Sequence, residues 1–240
     1  MPRIFLPISD KDKEIIIKEE KAHYLINVLR LKKGDEFEVI NGKGKCFLLL
    51  IKEISKKEIN CEVKNISGCN IESPISIILA QGILKGNKMD LVIQKATELG
   101  VKEIVPIVTE RSQLKETRKL NRWQKIAEEA SKQSGRSIVP LIHKSIEFIE
   151  LIDNYKSRTR KGLIFYEKDG ISLKDAIKKL DNNNNLLIII GPEGGFTREE
   201  VNYAKEKGLI ITSLGKRILR SETAAIVAIA LVQFLLGDLD

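Results

Sequence analysis

From Ile75 onward the sequence changes its period, and that change constrains the fold more than any other feature. Short apolar runs, "ISIILAQG", "EIVPIV", "GLIFY", "LLIII" and "LIITSL", alternate with segments whose apolar residues return every three or four positions. A run that is apolar at every position suits a strand covered on both faces. Strands separated by helices pair in parallel through crossovers, so this region predicts an α/β domain with a largely parallel sheet. In "KMDLVIQKATELG" the residues Met89, Val92, Ile93, Ala96 and Leu99 share one helical face, and Gly100 ends the helix. Leu120, Trp123, Ala127, Ala130 and Ser134 form a similar stripe opposite a row of lysines. Further helices are expected near Leu173, Thr197 and Ser221.

Before residue 73 the pattern is short and β-like. "EFEVINGKGKCFLLLIKEI" reads as a strand, an Asn41-Gly42 turn and a strand, and "EINCEVKNI" as another strand. "HYLINVLRLKKGD" predicts a short helix ended by Gly34. A length of 240 residues accommodates one large domain or two. The change of period favours two: a β-rich module over 1–72, of the kind that serves as a binding platform, and an α/β domain over 73–240. The boundary falls in "SGCNIESP".

With 42% hydrophobic residues the chain can bury a core. Its opening residues carry no signal-like segment, and the longest apolar stretch, "AAIVAIALVQFLLG", falls short of the roughly 20 residues of a spanning helix. A cytoplasmic protein is expected. Cys46, Cys61 and Cys69 are odd in number and form no C-x-x-C pair, so all three are expected as free thiols. His23 and His143 lack the neighbours of a metal site, Trp123 belongs to a core stripe, and "DNNNN" over 181–185 is a polar surface loop. The net charge of +8 favours a polyanionic partner, but lysine is abundant everywhere, so the total does not decide. Distribution says more: residues 109–136 hold eight Lys/Arg against four Glu, a candidate phosphate-facing surface.

Two turns carry the chemistry. After the apolar strand Ile188, Ile189, Ile190 the chain runs through Gly191, Pro192, Glu193, Gly194 and Gly195 before Thr197 and Glu200 make a capping box. Glycines at the carboxyl end of a strand let a ligand approach the backbone, at the edge where open α/β sheets bind ligands. An ordinary strand-to-helix turn would also use such residues. The order G-P-E-G-G does not match a dinucleotide fingerprint, and a carboxylate there suits a cationic or hydroxyl-rich ligand better than a phosphate. The second turn, "LGKRILRSETA", leads through Arg220 to Ser221, a plausible N-cap, and to a final helix that is apolar almost all round. Such a helix is buried against the sheet or against another chain.

"GPEGGF", "LGKRILRSETA", "KMDLVIQKATELGV", "ERSQ" and "RWQKIAEEASKQSGR", with "MPRIFL" and "HYLINVLRLKKGD" ahead of them, resemble the bacterial 16S ribosomal RNA uridine N3-methyltransferases of the SPOUT superfamily. The likeness runs over essentially the whole chain, and the pairing of the two glycine turns is its most specific part.

That resemblance implies an N-terminal PUA-like β-barrel and a C-terminal α/β-knot methyltransferase domain, with a trefoil knot that no periodicity could reveal. It implies S-adenosylmethionine as cofactor, held by Gly191, Glu193, Gly194 and Gly195 in the first turn and by Leu214, Gly215, Ile218, Leu219 and Thr223 in the second. It implies a homodimer acting on 16S ribosomal RNA, within the 30S subunit. Arg220 is the candidate for stabilising charge on a uracil carbonyl oxygen. The proton acceptor is left open among Glu222, Glu98 and a water. RNA contact is assigned to Arg3 and Arg30 in the first module and to Arg111, Ser112, Lys132, Gln133 and Arg136. Rival readings are a nucleotide-binding oxidoreductase, a non-catalytic RNA-binding protein, and a relative methylating another base or a tRNA ribose.

Overall fold

In the computed structural model, which describes residues 2–55, 57–69, 71–114, 119–156, 161–180 and 185–239, the predicted change of period is a change of architecture. Two units result: residues 1–72 with 131–139, and residues 73–130 with 140–240. The return of 131–139 to the first unit was not legible as a domain boundary.

The first unit holds β1 (Arg3–Phe5), β2 (Glu14–Lys18), α1 (Glu19–His23), β3 (Glu36–Ile40), β4 (Lys45–Ile54) and β5 (Glu58–Gly68). They form a five-stranded sheet in the order β1-β3-β4-β5-β2, antiparallel except for β1 with β3. Alternate residues of the hairpin β3 and β4, among them Phe37, Val39, Phe47 and Leu49, enter a core with Leu25 and Ile59. The Asn41-Gly42 turn is present: the Asn41 side chain accepts from the amides of Lys43 and Lys45. The predicted helix is shorter than expected. It passes at Tyr24 into a π-helical stretch ending at Val28, and Arg30, at φ +55°, turns the chain away well before Gly34.

The expectation of three free thiols is overturned, because Cys46 and Cys69 form a disulfide. Antiparallel pairing sets Cys46 opposite Ser67, which brings the start of β4 to the end of β5 and the two Cα atoms to 5.5 Å. Cys61 is free and buried, and burial pushes its thiol up to about 11.

The second unit contains β6 (Ser76–Gly82), α2 (Lys88–Glu98), β7 (Glu103–Val108), the start of α3 (Leu120–Ser134), β8 (Leu141–Ile142), β9 (Ile146–Glu147), α4 (Phe148–Lys156), β10 (Lys161–Phe165), β11 (Ile171–Ser172), α5 (Leu173–Lys178), β12 (Asn185–Ile190), α6 (Arg198–Glu206), β13 (Ile210–Ser213) and α7 (Ser221–Leu236). Its sheet runs β11-β13-β10-β12-β6-β7-β8, with β9 also on β7, and every pairing is parallel. The all-apolar strand predicted at Ile188 to Ile190 lies at the centre of this sheet, buried throughout. The predicted helix stripes are buried at Met89, Val92, Ile93 and Ala96, and at Trp123, Ala127 and Ala130. Trp123 donates its indole N–H to Asp90, as a core tryptophan should.

The last helix is buried on one face only. Ala225, Ala228, Ile229 and Val232 are covered, whereas Leu231, Phe234 and Leu236 are exposed, Phe234 to 62%. Among the described residues no helix is long and apolar enough to cross a membrane. Of the "DNNNN" run, 181–184 lie outside the described residues, and Asn185 begins β12.

Candidate functional site

Four neighbouring parallel strands, β13, β10, β12 and β6, finish at one edge of the second sheet. Past those ends lies a cleft of about 400 Å³, within the range of small-molecule sites. Gly191 to Phe196 line it beyond β12, and Leu214, Gly215 and Arg217 to Glu222 line it beyond β13. Tyr166 and Glu167 contribute from the end of β10, and Lys88 from the start of α2. This is the carboxyl edge, where the order of the strands departs from their order along the chain and an open sheet leaves room for a ligand.

The first loop is firmly bedded. A Cβ on Gly82 would lie 2.3 Å from the Pro192 nitrogen, so the loop can rest on β6 only because residue 82 has no side chain. Gln81 is fully buried, and its Nε2 donates to the Ser221 hydroxyl at 3.0 Å and to the Gly191 carbonyl at 3.4 Å. The Ser221 hydroxyl donates in turn to the same carbonyl. Ser221 is thus the first residue of α7 rather than its cap. Arg220 takes the N-cap position in an extended conformation and makes no side-chain cap. The capping box at the start of α6 is present, and Glu200 also accepts from the Glu110 amide.

The second loop is open by comparison. Gly215 adopts φ +108°, and its amide and carbonyl are both bonded to the Ser213 hydroxyl. Residues 215–218 are exposed, Ile218 to 82%.

One cation lies between two carboxylates in this cleft. Lys88 Nζ is 3.3 Å from Glu193 Oε1 and 4.0 Å from Glu222 Oε1. Glu193 also accepts from the Lys85 amide at 3.2 Å. Burial works to raise the Glu193 carboxyl, but its own amide, the Lys85 amide and the Lys88 ammonium hold it below the usual carboxylate range. The Glu222 side chain is 12% exposed, and its buried Oε2 has no hydrogen-bond partner among the described residues.

The sequence-derived candidates divide sharply. Gly191, Glu193, Gly194, Gly195, Leu214, Gly215, Ile218 and Leu219 line the one cleft with Arg220 and Glu222. Thr223 does not line it; in the first turn of α7 it faces solvent. Glu98 lies ten residues along α2 from Lys88, about 15 Å of helix, and pairs with Lys95 at 2.8 Å, so it leaves the list of proton acceptors. Arg111 is exposed beside the first loop and donates to the Gly194 carbonyl at 3.4 Å. Arg3, Arg30, Lys132 and Gln133 belong to the first unit, where Arg30, Lys132 and Gln133 are exposed and Arg3 pairs with Glu38.

Two RNA-contact candidates are corrected. Ser112 is 8% exposed and closes a turn on Thr109. Arg136 is 5% exposed and binds Glu72 through Nε at 3.1 Å and Nη2 at 2.6 Å. Burial works to raise the Glu72 carboxyl; Arg136 and the amides of Ile138 and Ser137 outweigh it and hold the group ionised below the usual range. Arg136 therefore anchors the segment 131–139 within the first unit. Sequence reasoning also missed Lys88, Tyr166, Glu167 and Gly82. The end of the strand "GLIFYEKDG", read as a carboxyl edge, could have pointed to Tyr166 and Glu167; Gly82 gave no signal apart from ending a strand.

Residues 71–233 match the model of an RNA methyltransferase domain, and residues 17–64 that of an RNA methyltransferase PUA domain. Ribosomal RNA small subunit methyltransferase E of Buchnera aphidicola from Acyrthosiphon pisum is 36% identical over 99% of this chain and 95% of the relative. That of Bacillus subtilis is 34% identical over 98% and 96%. The crystal structure of ribosomal RNA small subunit methyltransferase E from Neisseria gonorrhoeae bound to S-adenosyl methionine superposes with a TM-score of 0.85 at 35% identity, covering all of both chains. The two domain matches, over most of the chain, place it in the class of RNA methyltransferases. Within that class, the chain belongs to the ribosomal RNA small subunit methyltransferase E family.

Proposed function

We propose that this protein uses S-adenosylmethionine to methylate N3 of a specific uridine in 16S ribosomal RNA, in the cytoplasm and on the 30S subunit. The observation that carries the reading is a cleft in which two bare loops, Arg220 and the Glu222 carboxylate meet. Its residues fit the cofactor. The volume suits a nucleoside-sized ligand, the backbone of 191–195 and 214–219 offers amides and carbonyls to an adenine edge, and Glu193 and Glu222, which share Lys88, offer carboxylates to a cationic group. When bound, the cofactor supplies an electrophilic methyl group on a positively charged sulfur.

The chain's own residues then have three tasks: alignment, proton removal and charge stabilisation. A uracil N3 must lose its proton to become nucleophilic, and the negative charge spreads onto the carbonyl oxygens. Arg220, exposed at the mouth of the cleft and permanently charged, donates to such an oxygen in a planar fork. Glu222, which lines the cleft, takes the proton directly or through a water. Arg3, Arg30, Lys132 and Gln133 in the PUA-bearing unit and Arg111 beside the first loop hold the RNA backbone. The exposed apolar residues of α7, Leu231, Phe234 and Leu236, support a homodimer.

The test is methyl transfer from labelled S-adenosylmethionine to 30S subunits and to naked 16S RNA from a strain lacking the gene, with the product nucleoside identified by mass spectrometry. N3-methyluridine at one position of 30S-bound RNA is expected. Label on a ribose, on another base or on transfer RNA would overturn the target.

A further inference from the structure

We propose that Lys88 sets the charge preference of the cleft, so that a ligand is held according to whether its sulfur carries a positive charge. The inference rests on the cleft's taking S-adenosylmethionine. Lys88 is shared between Glu193 from the first loop and Glu222 from the turn that follows the second, at 3.3 and 4.0 Å. Two carboxylates therefore answer to one ammonium, and the triad carries a net negative charge. Glu222 has Lys88 at 4.0 Å from Oε1, and among the described residues no donor meets its buried Oε2. A carboxylate only partly compensated in such a place is costly, and a cationic ligand relieves the cost.

The cofactor and its spent form differ in this respect. Loss of the methyl leaves the carbon–sulfur bonding pair on sulfur, turning a sulfonium into a neutral thioether, while the adenosine and amino-acid parts are unchanged. The triad favours the sulfonium form, and Lys88 limits that preference by supplying part of the compensation itself. Product inhibition and turnover both depend on the ratio. Glu167, Arg217 and Arg220 also line the cleft, but they stay in place in every variant, so their effect cancels.

The experiment measures dissociation constants for S-adenosylmethionine and S-adenosylhomocysteine by calorimetry on the full chain. In Lys88→Met the ratio of the S-adenosylhomocysteine constant to the S-adenosylmethionine constant should rise about three- to tenfold, the effect of one unit charge at short range in a solvated cleft. Lys88→Arg should keep the wild-type ratio. The double variant Lys88→Met/Glu222→Gln, which restores the net charge of the triad, should return toward it. Lys88→Gln repeats the measurement should the Met variant fold poorly. An unmoved or lowered ratio would make Lys88 a mere tether or a contact to parts common to both ligands, and would overturn this inference alone. Failure of the wild-type protein to bind either ligand would overturn the cofactor assignment and this inference with it.

Discussion

The two loops of the cleft are built from similar residues and held in opposite ways. The loop over 191–195 lies on Gly82, is bonded by Gln81 and Ser221 and has Gly191 and Pro192 buried. The loop over 214–220 leaves Ile218 82% exposed and residues 215–217 exposed with it. A loop locked by packing presents a fixed surface, whereas a loop with few buried contacts opens at low free-energy cost and orders when a ligand gives it something to cover. The first loop is thus pre-formed, and the second is expected to order around what binds.

The largest effect should come from breaking the bed of the first loop. Gly82→Val places side-chain atoms where the Pro192 backbone lies, an overpacking that costs roughly 3 kcal/mol or more. Cofactor binding should fall more than about a hundredfold and the melting temperature should drop. Near-normal binding by calorimetry would show that the loop does not depend on this contact. Arg220→Ala should lower turnover by about 10²- to 10³-fold with cofactor affinity within a few-fold, because the arginine answers charge that develops on the base. Single-turnover methyl transfer separates the two quantities.

A smaller effect concerns acid. Since the folded protein holds the Glu193 carboxyl below the usual range of about 4.3, the contribution of its bonds to stability is full above that range and is lost as pH falls through the lower folded value. Thermal unfolding from pH 6 to pH 3 should decline less steeply in Glu193→Gln than in wild type; parallel curves would contradict it. The smallest stability change belongs to the open loop. Ile218→Ala should leave stability within about 0.5 kcal/mol while weakening cofactor binding several-fold, checked by denaturant titration and calorimetry.

What the sequence made legible follows the same division. Periodicity located the strand Ile188 to Ile190 and the buried stripes of α2 and α3, because burial on both faces or on one leaves a local pattern. The resemblance brought together Gly191, Glu193, Gly215 and Arg220, which lie at two strand ends joined only in three dimensions. Lys88 and Gly82 escaped because their roles exist only between elements: the one bridges carboxylates 105 and 134 positions away, the other is defined by what a missing side chain admits. Arg136 misled for the converse reason. A cationic residue in a basic stretch reads as surface, and only the fold reveals Glu72 beside it. The Cys46 and Cys69 pair escaped because spacing does not encode the register that joins them.

Amide hydrogen exchange with and without saturating S-adenosylmethionine tests this contrast most directly. In the free protein the amides of Gly191 and Phe196 should already be protected and those of 215–219 should exchange rapidly, with the ligand slowing the second group by an order of magnitude or more and scarcely moving the first. Equal protection of both loops before binding, or slowing confined to 191–196, would contradict it.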